Sequence, residues 1–292
     1  MANYYYAYSG HKYGLDRVRR GVALIKGLRE EGVEMQLLVN DFRAGLAAKE
    51  LGVEGAVTIE TILDVDAMAQ RGDSVVLDTP EDINLRLEQY ASEFEPLFCV
   101  TDRCDEASRF GEILLKPVCL ENEEQCIETP LVDRDYFSQN ASREERILFF
   151  LGDADYDKVI LSEREFFESV EMDLLLGNYF FVKYEKVLSE IFHKLYEPEE
   201  YTELLLARSR VFTASMQCAL EARAAGASVV YKRKGDEDAS LLKRLAEYGI
   251  IQIDLYDKEY LLNAFTLCDN NGKKGIKPID KVAKELISRL SL

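Results

Sequence analysis

The chain has 292 residues, of which 47% are hydrophobic, and its formal net charge at pH 7 is −18. This length has room for two domains that each bury a core, and the composition is that of a globular protein. The acidic balance excludes nucleic acid and anionic membranes as main partners, because both bind basic surfaces. The sequence shows neither a secretion signal at its start nor an apolar run near the ~20 residues of a membrane span, which predicts a cytoplasmic protein without membrane insertion.

Cysteine and histidine content limits the cofactor chemistry. Six cysteines, none of them in a C-x-x-C pair, stand at positions 99, 104, 119, 126, 218 and 268. In a cytoplasmic protein they are expected to be reduced thiols. With only two histidines, a histidine-based metal site is not expected. The sequence contains no Walker A and no G-x-G-x-x-G motif, and we expect no cofactor.

The first half alternates between apolar strands and amphipathic helices. Strands are predicted at 4–8, 35–39, 74–77, 96–100 and 112–115, and helices at 16–31, 42–51, 59–70 and 81–92. This alternation is typical of a parallel sheet with right-handed βαβ connections. Residues 116–145 contain Pro117 and Pro130 and no long periodicity, which indicates the crossing between two domains.

The second half repeats the alternation. Strands are predicted at 146–151, 173–176, 211–213, 228–231 and 250–253, and helices at 184–194, 198–208, 215–226, 237–248 and from 278 onward, with 157–170 unassigned. The predicted fold class is α/β, with two Rossmann-like domains facing across a cleft. Their bounds are residues 1–125 and 126–292, and the C-terminal helix is expected to pack back. Ligands of such sheets bind at the carboxyl ends of the strands.

The stretch from Arg210 to Asp238 is the candidate nucleotide site, because it reads as strand, turn, helix and strand. Ser215 stands where a capping side chain belongs, so Ser215, Met216 and Gln217 would lie at a helix N-terminus able to hold phosphate. Glu221 could accept hydrogen bonds from a ribose or sugar hydroxyl, and Lys232 brings positive charge to the next strand end. The alternative is an ordinary βαβ unit that binds nothing.

The first loop, SGHKYGLDRVRR, is the second candidate for a ligand site. Three arginines in the first turn of the following helix oppose its dipole, which favours a bound anion near Arg17 and Arg20 over a merely solvated turn. Gly14 provides a turn in front of them. His11 and Asp16 are the titratable groups available there for general-base catalysis.

A family resemblance joins these stretches. The segment TAS, a helix carrying EA, a strand and the loop GDED resemble the nucleotide-binding end of sugar-nucleotide enzymes with the glycosyltransferase B fold. Within that group the chain most resembles the UDP-2,4-diacetamido-2,4,6-trideoxy-altropyranose hydrolase of pseudaminic acid synthesis. The resemblance implies UDP or a UDP-sugar as ligand, with the sugar side on the first domain and the nucleotide on the second. It also implies release of UDP by a His-assisted attack of water on the anomeric carbon.

The sequence departs from that family at several functional positions. Arg17 stands where the catalytic His of the family is expected. SVVLDTPED matches the family's strand that ends in an acidic residue, here Asp78, but Thr79 and Pro80 replace the aromatic residue and Gly that follow it. The family's Gly-Gly turn is Gly152-Asp153. Two alternatives therefore remain: a relative that binds nucleotide or a partner without turnover, and a glycosyltransferase.

The segment ILFFLGDADYDK allows a different class of site, because a D-x-D after a strand binds a divalent metal in type A glycosyltransferases. A calcium loop is excluded, since Lys158 and Arg164 replace the required Gly and Glu. The residues do not predict the sugar or the oligomeric state.

Overall fold

The computed structural model describes residues 1–138, 143–268 and 275–290. The chain folds into two compact units. Unit 1 comprises Met1–Ser9, Arg17–Arg134 and Lys277–Leu292, and unit 2 comprises Gly10–Asp16 and Asp135–Ile276. The main change of unit thus lies at 134/135, whereas the sequence placed it at 125/126. The predicted crossing segment, 116–145, includes four residues (139–142) outside the described part.

Unit 1 is built on a parallel sheet that has seven strands within its described residues. These are β1 (Asn3–Ala7), β2 (Gln36–Val39), β3 (Val57–Thr58), β4 (Ser74–Asp78), β5 (Leu97–Val100), β6 (Ile113–Lys116) and β7 (Cys126–Glu128). Their order is β3-β2-β1-β4-β5-β6-β7. All five residues of β4 are buried, as expected for a parallel strand covered on both faces.

The helices of this part are α1 (Asp16–Glu30), α2 (Phe42–Glu50), α3 (Val65–Met68) and α4 (Leu87–Glu93), with a 3₁₀ turn at Ile62–Asp64. The predicted helices 59–70 and 81–92 are wrong in extent. Around the first, the Asp64 carboxylate accepts the amides of Glu60 and Thr61 in a capping box at Thr61, which sets the start of the helical segment at Ile62. Before the second, Asp82 accepts the amide of Asn84 in a turn.

Cys119 and Cys126 form a disulfide, with their Cα atoms 5.9 Å apart. The prediction that all six cysteines are reduced thiols is therefore wrong for this pair. Its spacing of seven residues gave no sequence signal, because the short strand that begins at Cys126 was not predicted. The pattern of this region had indicated a linker without strands.

Unit 2 contains a second parallel sheet, of six strands in the part that is described. They are β8 (Ile147–Phe150), β9 (Met172–Leu175), β10 (Lys194–Tyr196), β11 (Arg210–Thr213), β12 (Ser228–Lys232) and β13 (Ile251–Ile253), in the order β10-β9-β8-β11-β12-β13. β10 begins at the last residue of the helix predicted at 184–194. The core under this sheet is aromatic: Phe149 lies 4.9 Å from Phe167 and 5.0 Å from Phe212, ring centre to ring centre.

Seven helices in the described residues of unit 2 connect these strands. They are α5 (Val159–Ser162), α6 (Arg164–Ser169), α7 (Val182–Leu188), α8 (Tyr201–Ala207), α9 (Met216–Ala224), α10 (Ala239–Glu247) and α11 (Lys258–Cys268), with a 3₁₀ turn at Pro198–Glu200. Of these helices, α11 was not predicted, and α5 and α6 lie in the segment without an assignment. Among the helices described, none has the length and apolar character to cross a membrane.

The last helix, α12 (Asp280–Arg289), belongs to unit 1 and packs against α1. A Cβ on Gly27 would lie 2.8 Å from the side chain of Ile279. Because glycine has no side chain, α1 and the start of α12 can approach closely at this point. The amide of Ile279 donates to the carbonyl of Val132. Lys284 and Glu31 form an ion pair of 3.5 Å at the surface of the same contact.

A buried ion pair holds the amino end of β9. Arg208 is fully buried and donates to the carboxylate of Asp173 at 2.8 Å and to the hydroxyl of Tyr196 at 2.6 Å. Asp173 is 2% exposed. An ion pair of this kind is costly to break from one side, because the remaining charge stays buried without its partner.

We expect Asp173→Asn to lower the free energy of unfolding by about 3 kcal/mol, since it leaves the Arg208 guanidinium without its buried counter-charge. Urea unfolding followed by circular dichroism measures this. The control is Glu171→Gln, which removes an exposed carboxylate that pairs with Arg146. Equal urea midpoints for wild type and Asp173→Asn would show that the pair contributes nothing.

Candidate functional site

The candidate site lies in unit 2, at the carboxyl edge of its sheet, where β8 and β11 end side by side. Phe150 and Thr213 pair as the last residues of these strands, and the amide of Ala214 donates to the carbonyl of Phe150 at 3.2 Å. The turn containing Gly152 and the start of α9 are therefore neighbours. This is the edge at which ligands of open α/β sheets bind.

Ser215 caps α9, as the sequence predicted. Its backbone is extended (φ −94°, ψ 124°), and its Oγ accepts the amide of Cys218 at 3.1 Å. Its own amide donates to the Oγ1 of Thr213. Met216 is the first helical residue and is half-buried, and Gln217 is buried. The local pattern of the sequence was sufficient to place this helix start.

The first loop, Gly10–Asp16, is grouped with this sheet, and its last residue contacts the cap of α9. The Ser215 hydroxyl donates to the Asp16 carboxylate, with distances of 2.7 Å to Oδ1 and 2.9 Å to Oδ2. The structure thus brings together a predicted catalytic residue and a predicted phosphate-binding residue. Asp16 is half-buried.

A second carboxylate fixes the same loop. Asp153, 2% exposed, accepts the amide of Leu15 at 2.8 Å through Oδ2. Gly14 has a φ of +69°, and a Cβ on it would lie 3.1 Å from that oxygen. Gly14 thus serves the tight turn against Asp153. Gly152, with a φ of +133°, has no atom within 4 Å of the position of a Cβ, so its role is conformational.

The position of Asp153 is itself set by a glycine that the sequence analysis missed. A Cβ on Gly177 would lie 2.3 Å from the carbonyl carbon of Asp153 and 2.4 Å from its Cα, so no side chain fits. The Asp153 carbonyl accepts the amide of Tyr179 at 2.8 Å. A glycine just after a strand often marks such a close backbone approach, and LLLGNYF carried this signal.

His11 lies on an aromatic pair that follows Gly177. Its ring centre is 4.7 Å from that of Tyr179 and 5.8 Å from that of Phe181, which it faces at an interplanar angle of 13°. The His11 side chain is exposed, and Phe181 is 65% exposed. The imidazole is therefore stacked with Phe181, tilted against Tyr179 and accessible at this edge of unit 2.

Glu221 differs from expectation. It was predicted to face a ligand, but it is 1% exposed. The Tyr201 hydroxyl donates to its Oε2 at 2.6 Å, and the Gln217 amide donates to its Oε1 at 2.7 Å. The reason is that α8 packs on α9 and places Tyr201 over the carboxylate, a contact that helical spacing alone does not reveal.

Lys232 ends β12, and its ammonium group lies 4.9 Å from the ring centre of Tyr256 and donates to the carbonyl of Arg233. Burial lowers the pKa of Lys232, and the carboxylates of Asp254 and Glu237 offset part of that effect. The residue provides positive charge at the carboxyl end of the sheet, as its sequence position indicated.

The other predicted ligand residues, Arg17, Arg20 and Asp78, meet in unit 1. The Asp78 carboxylate ends β4 and is 1% exposed. Arg20 donates to both of its oxygens, at 2.9 Å and 2.8 Å, and Arg17 approaches to 3.5 Å. Arg20 also pairs with Asp102 at 2.8 Å, and Tyr5 donates to Asp78 at 2.8 Å.

The sequence led us to expect a bound anion at these arginines. The anions that Arg17 and Arg20 hold here are the protein's own carboxylates. Burial alone would lower the pKa of Arg20, but Asp102 and Asp78 raise it above its ordinary value, so the guanidinium stays charged. Burial and Asp78 together raise the pKa of Tyr5, which stays a neutral donor.

The D-x-D carboxylates do not meet at one ion. Asp153 accepts the amide of Leu15, whereas Asp155 accepts the amides of Val159 and Ile160 at the start of α5. Across residues 1–138, 143–268 and 275–290, no group of three or more His, Cys, Asp or Glu side chains is placed to hold a metal ion.

We expect Gly177→Ala to destabilise the protein by roughly 1–3 kcal/mol, because its methyl group would overlap the Asp153 backbone. Thermal unfolding measures the effect. Gly45→Ala in α2 is the matched control: its Cβ would make an ordinary contact of 3.7 Å, and replacing a helical glycine stabilises by about 0.5–1 kcal/mol. If Gly177→Ala melts at or above wild type, the close approach is not a constraint.

No protein-family model and no curated protein matches the sequence. Solved structures do match it. The UDP-GlcNAc 2-epimerase of Methanocaldococcus jannaschii, in complex with UDP-GlcNAc and UDP, has a TM-score of 0.62 at 13% identity, over 99% of each chain. S. aureus MnaA with UDP has a TM-score of 0.66 at 9% identity, over 98% of this chain and 95% of that one.

A third match is the glycosyltransferase SnogD of Streptomyces nogalater, with a TM-score of 0.53 at 16% identity over 99% of each chain. At these identities the likeness establishes the fold. Two separate parallel sheets, and a fold shared with SnogD, are not the architecture of type A glycosyltransferases. The interpretation of the D-x-D segment as a type A metal site is therefore wrong. The chain has the glycosyltransferase B type of fold, made of two Rossmann-like α/β domains.

Proposed function

We propose that this protein binds a UDP-sugar, with the diphosphate at the N-terminus of α9. The observation that carries the proposal is the Ser215-capped start of a nine-residue helix directly after β11, at the carboxyl edge of a Rossmann-like sheet. The backbone amides and the positive end of the dipole at such a helix start favour phosphate. Two of the similar structures were solved with UDP, which supports the nucleotide class.

Glu221 is the proposed ribose ligand in this arrangement. It lies one and a half turns into α9, and its carboxylate already accepts two hydrogen bonds, from Tyr201 and Gln217. A ribose hydroxyl would replace the Tyr201 hydroxyl as a donor. The exchange keeps the buried carboxylate hydrogen-bonded throughout, which avoids the cost of an unpaired buried charge.

For the chemistry, we propose hydrolytic release of UDP, the reaction of the family that the sequence resembles. His11 is the proposed base, since its ring is accessible and a guanidinium, as at Arg17, has no acceptor site for a proton. The second candidate is a protein that binds nucleotide without turnover. It is favoured by the engagement of Asp16 with Ser215, because both carboxylate oxygens of the other proposed base then accept the Ser215 hydroxyl.

Binding is tested by melting temperature. UDP should stabilise the wild type, by roughly 2.7 kcal/mol at a hundredfold excess over Kd, because it binds only the native state. Glu221→Gln should weaken UDP binding by at most about 1 kcal/mol, because the ribose hydroxyl only replaces the Tyr201 hydroxyl as donor and a neutral amide oxygen accepts a weaker hydrogen bond than a carboxylate. Isothermal titration calorimetry measures both affinities.

The control is Glu203→Gln, an exposed position on the neighbouring helix α8. It should bind UDP as the wild type does. No melting shift with millimolar UDP, UMP or UDP-GlcNAc would count decisively against a nucleotide site.

Turnover is tested by UDP release from the altropyranose substrate. We expect weak release that falls to background in His11→Ala, because the family's histidine position is occupied by Arg17. Phe181→Leu keeps the imidazole and removes one of its ring contacts, so it should retain release. Strong turnover that persists in His11→Ala would show that another group activates the water.

A further inference from the structure

The N-terminus of α9 already holds a carboxylate from the same chain. Asp16 accepts the Ser215 hydroxyl through both oxygens, at 2.7 Å and 2.9 Å. Ser215 is the N-cap residue, so this carboxylate lies beside the positive end of the helix dipole. A carboxylate in this position makes the kind of contact that a phosphate oxygen would make.

The Ser215 hydroxyl cannot donate to the Asp16 carboxylate and to a phosphate oxygen at the same time. A serine hydroxyl has one proton to donate. Here that proton goes to Asp16, and the oxygen accepts the amide of Cys218. A phosphate oxygen could receive the Ser215 hydroxyl only after Asp16 has released it. Any phosphate close enough to do so would also lie within repulsive range of the Asp16 charge.

The preceding residue strengthens the contact. The Leu15 amide donates to the buried Asp153 carboxylate at 2.8 Å, so consecutive residues of the loop are fixed at the ends of β11 and β8. Gly14 allows this with a φ of +69° against the same carboxylate. The loop therefore places Asp16 at Ser215 through the backbone as well as through its side chain.

We propose that Asp16 determines phosphate affinity in this site: its carboxylate holds the Ser215 hydroxyl at the start of α9 and must release it before a phosphate oxygen can take that hydrogen bond. The inference rests on the proposed function, since it takes the ligand to be the diphosphate of UDP. Uridine has no phosphate and does not compete with Asp16. The residue therefore lowers the affinity of UDP and leaves that of uridine unchanged.

The test is Asp16→Asn, which keeps an acceptor for Ser215 and removes the charge. Calorimetric titration should show that UDP binds roughly tenfold more tightly, or better. A like charge in contact with an ionised group shifts the equilibrium of that group by at least about this factor. Uridine affinity should stay as in the wild type. Asp16→Ala, with a melting curve recorded for each variant, provides a second measurement that does not depend on the asparagine side chain.

Asp157→Asn is the matched control, because it makes the same charge change at an exposed position of unit 2. An equal gain in UDP affinity there would overturn the inference in favour of a net-charge effect. If UDP binds equally to wild type, Asp16→Asn and Asp16→Ala, the inference is overturned and the proposed function stands. If UDP binds to none of the three, the proposed function itself falls, and the role of Asp16 falls with it.

Discussion

The candidate site depends on a close approach between two backbone segments of unit 2. Gly177 can pass Asp153 only because it lacks a side chain, with a would-be Cβ 2.3 Å from the Asp153 carbonyl carbon. This contact fixes the turn after β8 and aims the Asp153 carboxylate at the amide of Leu15. The position of the next residue, Asp16, at the start of α9 follows from that bond. The hydrogen bonds available at Ser215 thus depend on a glycine that follows β9.

Internal charge pairing explains how an acidic protein uses its arginines. In unit 1, Arg20 is held by Asp78 and Asp102, and in unit 2 the buried Arg208 is held by Asp173. These positive groups stabilise the fold and add little net field around a ligand. At the carboxyl edge of the second sheet, Lys232 provides a positive side chain. The proposed phosphate binding would therefore rely on the helix start more than on positive side chains.

Elements with strong local patterns were predictable, because a buried parallel strand reads as a continuous apolar run. The strands ending at Asp78 and Thr213 and the cap at Ser215 were placed within a residue or two. Short strands such as β7 and β10 have too few residues to show a period. The decisive contacts of the site join residues 138 and 199 positions apart, Leu15 with Asp153 and Asp16 with Ser215. No local pattern encodes such a contact, although Gly177 was a readable sign of one.

The division of the chain has a consequence for biosynthesis. Unit 1 takes its final segment, Lys277–Leu292, from beyond all of unit 2, and α12 covers α1 at Gly27. A ribosome therefore releases the whole of unit 2 before the last helix of unit 1 can dock. Until then the α1 surface around Gly27 is uncovered, and exposed apolar surface of this kind is what makes partly folded chains prone to aggregation.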